Sequence, residues 1–461
     1  MRALGIVIVA IAAPAAAAPG DDPATGREVF TGAVSSDATS LVGNPAALDL
    51  GREGLHLWVG GLAAIDQYAI TLQQESASGA FTDGPAVKDV VTTTGWQAAV
   101  YEVKSDFAAG AIINIPPPDE FIADRDALRY HTLGGRVLEK TYAAVGGSIR
   151  IAEGLFVGGS ASYTGTVIDL AFARDTALEN GRSDANATGL ENPSADEIVR
   201  IHADKEDRGF NRIAFTLGFS WQITPKIAVG AFYREPQGFN GDITTSGTVD
   251  VTRAPRAGGD ATGGLSVVSF VPAQTLELGA RAELVTGLHA IGGLRWEATS
   301  RTQQLDVRMF GAGLTGFPEW YPRPRGFRDT WSGWAGVEQV DDGQRLVVGA
   351  RLGLSSGAVA QQRISPMQVE GWNASGALGA QIRLANEVSL VANYDVRWYI
   401  PQDVAPSAYD PIERLDCIDS NYDLSSDACQ AVRDGYGIDT AAGSYARWQH
   451  VLRVGVRIDW E

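Results

Sequence analysis

Long apolar runs are missing from the sequence outside its first 20 residues, and the mean hydropathy is −0.05. A membrane helix needs about 20 consecutive apolar residues, so an α-helical membrane protein is excluded. Basic residues are also scarce, because 37 Lys and Arg stand against 55 Asp and Glu, giving a formal net charge of −18. Nucleic-acid binding is excluded as well, because phosphate recognition needs a basic face.

Cysteine is nearly absent, with only Cys417 and Cys429 in the chain. In an oxidising compartment we expect them to form a disulfide that closes the loop 417–429, contributing about 3 kcal/mol in the loop-entropy model. The acidic residues of this loop have oxygen-ligand spacing, but Leu424 stands where a calcium loop needs glycine. No metal site is therefore predicted, although calcium stays an alternative for this loop.

The last segment, Tyr445 to Trp460, has the alternation of a β-strand. Its even positions are apolar except for His450, and most of its odd positions are polar. Strands of soluble sheets usually end after about 5 or 6 residues, so this length favours a membrane strand. Trp448 and Trp460 are about 40 Å apart along the strand, or about 30 Å vertically at a 40° tilt, which is the spacing of aromatic girdles. We predict that even positions face lipid and odd positions face a polar lumen.

Short and long connections alternate along the rest of the chain. Alternation and turn residues predict fourteen strands. Tight turns such as Lys104 to Asp106 separate some of them, and long polar loops such as Arg174 to Phe210 separate the others. An even number of antiparallel strands with turns at one end and loops at the other is typical of outer-membrane barrels. The sequence predicts an all-β, 14-stranded antiparallel transmembrane barrel over residues 54–461.

The first residues have the pattern of a secretory signal. Arg2 precedes an apolar run that ends in small alanines, so residues 1–17 are predicted to be a signal peptide. Export together with a barrel predicts the outer membrane of a Gram-negative bacterium, with both termini in the periplasm. The expected surroundings are membrane lipids and lipopolysaccharide, and we expect a monomer.

Residues 18–53 precede the first strand and show no strand alternation. Asn44 and Pro45 suit an N-cap and a first helical position, and Gly51 suits a helix end, so one or two helical turns are expected. A short segment beside a wide lumen is well placed to plug it as a hatch. The alternative is a disordered tail. The residues expected to form the gate are Asp37, Asn44, Pro45 and Ala46.

Three groups of residues match a known family. They are Asp37-Ala38-Thr39 with Asn44-Pro45-Ala46, then Tyr233-Arg234, and then the closing pattern from His450 to Trp460. In these residues the chain resembles the FadL family of outer-membrane transporters, including its TodX-like members. Over essentially the whole mature chain, the resemblance implies a fourteen-stranded barrel with an N-terminal hatch and passive transport of long-chain fatty acids, aromatic hydrocarbons or other hydrophobic compounds.

The resemblance also implies a lateral opening beside the third strand. Pro116 and Pro117 follow the predicted third strand. Proline cannot donate a ladder hydrogen bond, so these residues are compatible with a break in strand pairing. We therefore expect the opening, if formed, at this end of the third strand.

The favoured hypothesis is passive uptake of hydrophobic molecules through a partly apolar lumen. The side chains expected to line the path are Trp58, Leu62, Phe156, Phe232, Ile291 and Trp334. One alternative is a lipid-acting barrel enzyme, which would need His56 or His289 beside a hydroxyl nucleophile. Another is a structural or adhesive barrel with a charge-filled lumen. The lumen charges are expected to pair with one another, and no catalytic residue or cofactor is predicted.

Overall fold

A computed structural model gives the structure of much of the chain. It describes residues 32–75, 81–115, 119–120, 134–175, 196–206, 212–238, 241–252, 262–311, 314, 319–320, 323–341, 343, 345–405, 407 and 441–460. Within these ranges no helix is long and apolar enough to cross a membrane. Short 3-10 helices cover Ala38–Leu41, Pro45–Leu50, Thr299–Arg301 and Gln361–Arg363.

Strand segments make up most of the described ranges. They are β1 (Gly54–Glu75), β2 (Phe81–Val103), β3 (Phe107–Ile115), β4 (Asp119–Glu120), β5 (Gly134–Ala152), β6 (Leu155–Asp175), β7 (Asp196–Glu206), β8 (Ile213–Thr224), β9 (Ile227–Glu235), β10 (Ile243–Thr252), β11 (Thr262–Phe270), β12 (Thr275–Val285), β13 (Leu288–Glu297), β14 (Gln304–Phe310), β15 (Arg323–Pro324), β16 (Thr330–Val340), β17 (Leu346–Ser355), β18 (Asn373–Arg383), β19 (Val388–Val404) and β20 (Gly443–Trp460).

Several segments continue one another, so the described chain forms fourteen barrel strands. For example, β7 pairs with the end of β6 and β8 pairs with its start. In five other cases two segments likewise pair with different parts of the same neighbouring barrel strand. These are β3 and β4, β9 and β10, β11 and β12, β13 and β14, and β15 and β16. The barrel closes because β1 pairs antiparallel with β20, from Leu55 opposite Trp460 to Leu72 opposite Gly443. The predicted 14-stranded antiparallel barrel is confirmed.

The outer wall is apolar and the inner wall carries the polar side chains. In β20, Leu452 is 51% exposed, whereas Val451 and Arg453 on either side of it are buried. Exposed apolar side chains recur on strands all around the barrel, among them Val59, Ile113, Leu217, Leu278, Leu294 and Leu378. An apolar band of this extent is typical of a surface that faces lipid, and the predicted alternation of the closing strand is confirmed.

The two ends of the barrel differ in their connections. At one end, which we call the turn end, tight turns join β2 to β3, β5 to β6, β8 to β9 and β12 to β13. Gly154 and Gly287 in two of these turns have φ of 68° and 77°, a region that favours glycine. Leu55 and Trp460 lie at this end too, and the opposite end is the loop end.

The strands extend further at the loop end than the sequence predicts. The pattern predicts β2 only from Gly95, but the β1–β2 hairpin continues to Glu75 opposite Phe81. The region Arg174 to Phe210, predicted as a solvated loop, contains β7. The outer parts of β6, β7, β10, β11 and β14 enclose a buried apolar cluster. The prediction is wrong here because polar side chains such as Asp169 and His202 replace the apolar outer face that marks a strand in lipid.

Some predictions fall outside the described residues. They are the signal peptide at residues 1–17, Pro116 and Pro117, and Cys417 and Cys429 with the surrounding acidic loop. Of the region 18–53, residues 32–53 are described, and we refer to these as the N-terminal segment.

Candidate functional site in the barrel lumen

The N-terminal segment forms two short helical turns that its own side chains cap. Asp37 Oδ1 accepts a hydrogen bond from Thr39 N at 2.8 Å and begins the first turn. Asn44 Oδ1 accepts from Ala46 N at 3.2 Å and begins the second, with Pro45 in the first turn. The second turn ends at Gly51, as the sequence predicts. Each turn is too short to bury a core of its own, so its stability depends on contacts with the barrel.

Asn44 is the main polar contact between the N-terminal segment and the wall. Its Nδ2 donates to Ala33 O at 2.5 Å within the segment, and to Phe219 O at 2.9 Å and Ser220 Oγ at 3.0 Å in β8. The side chain is 1% exposed. One amide therefore caps a helical turn, fixes the start of the segment and attaches both to the barrel.

Glycine recurs in the wall where the backbone of the N-terminal segment comes closest to it. A Cβ built on Gly158 of β6 would lie 2.5 Å from Ala46 N. At Gly218 of β8 and Gly230 of β9 a Cβ would overlap Asn44 Oδ1 and the carbonyl oxygen of residue 33 more closely still. We call Gly158, Gly218, Gly230 and the neighbouring Gly279 of β12 the glycine floor. Only glycine lets the segment approach the wall backbone this closely.

A buried carboxylate holds the start of the segment. Ala33 N donates to Glu277 Oε1 at 3.0 Å, and the other oxygen of Glu277 accepts from Arg295 Nε at 2.9 Å. Arg295 also pairs with Glu297 at 3.4 Å. Glu277 is 3% exposed, so its charge depends on Arg295 for compensation.

An apolar contact covers the other side of the segment. Leu41, Val42 and Leu48 belong to one buried cluster with Trp58, Tyr101 and other inward side chains of β1, β2, β3, β5 and β19. The segment therefore rests on glycine on one side of the lumen and on aromatic and aliphatic side chains on the other.

The predicted lining residues all face inward, and they differ in what they contact. Each of the six has 9% exposure or less. Trp58 packs in the apolar cluster of the N-terminal segment, the Phe232 ring is near Gly43, and the Trp334 ring is near Gly32. Leu62 packs with Ala64 and Val451 away from the segment. The guanidinium of Arg150 lies over the ring of Phe156, and Ile291 is buried on β13.

The predicted pairing of lumen charges is confirmed. Arg281 lies 3.6 Å from Glu338, and Arg397 lies 3.6 Å from Asp395. Asp66 accepts from Arg447 at 2.8 Å, and this guanidinium also lies over the rings of Tyr68 and Tyr399. These pairs place opposite charges side by side on the inner wall.

A loop at the other end of the lumen also folds inward. Residues 356–372 connect β17 and β18, and Ala358, Val359, Ile364 and Val369 are buried in a cluster with inward side chains of β1, β19 and β20. The sequence gives no sign of this position, because a polar loop with scattered apolar residues also suits the solvent. The lumen is thus occupied by the N-terminal segment near the turn end and by this loop near the loop end.

Sequence reasoning missed the glycine floor and Glu277 as a contact of the N-terminal segment. The signal for the floor is the recurrence of glycine at inward positions of β6, β8, β9 and β12, which is unusual because glycine weakens a strand. In the described part of the chain, no group of three or more His, Cys, Asp or Glu side chains is placed to hold a metal ion.

Burial affects one carboxyl of the segment. It raises the pKa of Asp49, which lies beside Ser148, and the guanidinium of Arg150 acts in the opposite direction. The ionised form is therefore disfavoured where this side chain is docked.

Comparisons with known proteins give structural matches over nearly the whole chain. A FadL homologue from Pseudomonas aeruginosa is similar with a TM-score of 0.71 and 13% identity, covering 96% of this chain and 99% of the other. The toluene transporter TodX from Pseudomonas putida has a TM-score of 0.60 and 13% identity over 95% and 97%. The toluene transporter TbuX from Ralstonia pickettii has a TM-score of 0.60 and 13% identity over 96% and 99%. No family model and no curated protein matches the sequence. The chain therefore shares the FadL-like fold that its sequence resembles.

Proposed function

We propose that the protein is a passive channel of the outer membrane that takes up hydrophobic small molecules, with the N-terminal segment as its hatch. Support comes from the apolar outer band and from the similar structures, which are described as transporters and hydrocarbon channels. Fatty acids and other hydrophobic compounds remain the candidate substrates.

The observation that carries the proposal is the way in which the hatch docks on the inner wall. Its polar contacts with the wall run from Asn44 to β8, from Ala33 to Glu277 and from Arg52 to His56, and none of them belongs to the strand ladder. Because the closed strand pairing satisfies the wall backbone independently, the hatch can leave its seat without opening the barrel. Such an element suits a gate.

Apolar side chains would line the path of the substrate through the lumen. We propose that Leu62, Phe156 and Ile291 line the lumen when the hatch moves, and that Trp58, Phe232 and Trp334 contact both hatch and substrate. Their inward position suits molecules that leave water readily. A channel for ions would have no use for so many buried aromatic rings.

The same proposal sets the orientation and surroundings. Barrels of this type place tight turns in the periplasm and long loops outside the cell, so the turn end with both chain ends would be periplasmic. Membrane lipids and lipopolysaccharide would then surround a monomeric barrel. Residues 1–17 would be removed as the signal peptide, and residues 18–53 would form the complete hatch.

The test is a double substitution at the cap of the second helical turn. A variant with Asn44→Ala and Pro45→Ala loses the cap and the bonds to β8, and the loss of the cap alone, at about 1 kcal/mol, shifts the hatch population by about fivefold. We expect normal insertion, heat resistance in detergent like that of the parent, and faster uptake of butylbenzene by cells that express the variant.

Asn386→Ala is the matched control, since Asn386 lies in an exposed turn. It should change neither insertion nor uptake. Unchanged uptake in a correctly inserted double variant would contradict the gating role, and failure to insert would assign Asn44 to assembly.

The enzyme alternative receives no support from His56. Its Nδ1 lies 2.7 Å from Asp459 Oδ1 and its Nε2 lies 3.0 Å from Arg52 O. Both nitrogens thus contact acceptors of the protein rather than a hydroxyl nucleophile. The similar structures are described as transporters and channels rather than enzymes.

A further inference from the structure

Two neighbouring amides on the inner wall have unused hydrogen-bonding atoms. Gln97 of β2 lies directly opposite Asn114 of β3 in the strand ladder. In the described part of the chain, Gln97 Nε2 and Asn114 Oδ1 are buried without a hydrogen-bond partner. A buried polar group without a hydrogen-bond partner destabilises the folded state, so native proteins rarely keep two such groups side by side without a role.

Trp58 fixes which atom of Gln97 is free. Its indole Nε1 donates to Gln97 Oε1 at 2.8 Å. An indole nitrogen can only donate, so the oxygen of the amide must face it and the NH2 group must point away. Gln97 therefore offers a donor, while Asn114 offers an acceptor on the neighbouring strand.

The inward neighbours of the two amides on their own strands are uncharged. Two residues further along the same face are Ala99 and Ile112, which are both buried in the cluster that contains Trp58. The inward positions of β2 and β3 between residues 93 and 114 carry no charged side chain. A ligand group that binds here must therefore form hydrogen bonds without bringing a charge.

We propose that Gln97 and Asn114 form a polar subsite for a hydroxyl group on an otherwise hydrophobic molecule, an inference that rests on the proposed function. The hydroxyl oxygen accepts from Gln97 Nε2 and its hydrogen is donated to Asn114 Oδ1. Alcohols and phenols satisfy both atoms at once. An ether satisfies only the donor, and a hydrocarbon satisfies neither.

A carboxylate fits the subsite poorly. It would place a negative charge against Asn114 Oδ1, which is also an acceptor, and the inward positions of β2 and β3 between residues 93 and 114 offer it no cation. The subsite thus favours neutral hydroxylated molecules over acids of the same size.

Access to the subsite depends on the hatch. The cluster that holds Trp58 also contains Leu41 and Val42 of the N-terminal segment, so this part of the wall opens when the segment moves away. The two unused atoms are closed off from solvent in the docked state. Binding of a hydroxyl would therefore favour the undocked hatch, by the reciprocity of coupled equilibria.

The first test uses the unaltered protein in detergent and four probes with one apolar body: 4-butylphenol, 4-butylanisole, butylbenzene and 4-butylbenzoate. Binding is measured by equilibrium dialysis and corrected for partition into protein-free micelles. We expect the phenol to bind roughly tenfold more tightly than the anisole, as one additional hydrogen bond to a buried group predicts. The benzoate should bind most weakly.

The second test uses substitutions. Asn114→Leu leaves the Trp58–Gln97 bond intact and removes the acceptor, so the phenol should lose its advantage over the anisole. Gln97→Leu removes the donor, so the anisole should lose its advantage over butylbenzene while the phenol keeps the part that depends on Asn114 Oδ1. The control is Gln381→Leu, the same change at a buried inward position of β18, which should preserve the order of the probes.

The outcomes separate the subsite from the proposed function. Saturable butylbenzene binding with equal affinities for the phenol and the anisole would overturn the subsite alone. An advantage of the phenol that survives Asn114→Leu would also overturn it. If no probe binds, both proposals fail. Should Asn114→Leu not insert, the comparison of the four probes on the unaltered protein still decides.

Discussion

His56 Nδ1 lies 2.7 Å from Asp459 Oδ1, and this contact joins the first strand of the barrel to the last. The other ring nitrogen, Nε2, lies 3.0 Å from the carbonyl oxygen of Arg52 in the N-terminal segment. A carboxylate and a carbonyl can only accept hydrogen bonds, so both ring nitrogens of His56 lie against acceptors. Asp459 also pairs with Arg457, and Tyr101 stacks on the imidazole with centroids 4.7 Å apart.

The substitution His56→Phe should weaken this seam, by which we mean the contact between β1 and β20 at His56 and Asp459. Phenylalanine keeps the stack on Tyr101 but removes both hydrogen bonds, at a cost of about 2 kcal/mol, because one of them is charge-assisted. We expect a lower temperature for the heat-induced mobility shift of the barrel on electrophoresis. His289→Phe is the control, since His289 is only partly buried on β13, away from the seam. Equal shifts in both variants would contradict a role of the seam contact.

Gly218→Ala should displace the N-terminal segment without opening the barrel. The added methyl group would overlap Asn44 Oδ1, and the wall backbone cannot move away because it is paired on both sides. We expect a larger conductance in planar bilayers and unchanged heat resistance. Gly159→Ala adds the same methyl group on β6, where its nearest neighbour would be 3.5 Å away, and should leave the conductance unchanged. If Gly218→Ala had the same conductance as the parent, the glycine floor would not be the surface on which the N-terminal segment docks.

Glu277→Ala should free the start of the segment. It removes the acceptor of Ala33 N and a partner of Arg295, so docking should weaken by about 1–3 kcal/mol. A thiol probe on a Val34→Cys variant should then react faster in the Glu277→Ala background. The control is Glu338→Ala, which removes an inward carboxylate paired with Arg281. Its Val34→Cys rate should match that of the parent, and a faster rate there would point to general loosening of the lumen.

We expect the docking of the N-terminal segment to depend on pH because of Asp49. Burial raises the pKa of this carboxyl above 3.8 in the docked state, so docking is favoured while Asp49 is protonated and weakens as the pH rises through the raised value. Conductance should therefore increase on going from pH 3.8 towards neutrality. In Asp49→Asn this increase should be smaller and the neutral-pH conductance lower. The control is Asp341→Asn, which alters a carboxyl in another turn and should behave like the parent. If the conductance of Asp49→Asn depended on pH as that of the parent does, Asp49 would not be the group responsible.

The fold could be predicted where contact with lipid requires apolar residues at alternate positions of a strand. The alternation of β20 and the cap at Asn44 depend on local rules, and both are present in the structure. The strands beyond the membrane, such as β7, follow no such rule because their outer faces are polar. The seat of the N-terminal segment could not be predicted either, since Asn44 meets Gly218 and Ser220 across more than a third of the chain. Local sequence carries no information about which distant positions meet.

The inward-folded loop at residues 356–372 bears on the permeability of the cell envelope to toxic hydrophilic solutes. A barrel of fourteen strands without internal obstruction is wide enough to admit water and small antibiotics. Here the N-terminal segment and this loop obstruct the lumen at separate heights. Movement of the segment alone would leave the apolar cluster of the loop in place, so the water path would stay too narrow for solutes larger than small ions. A bacterium could therefore carry many copies of such a channel without losing its resistance to polar antibiotics.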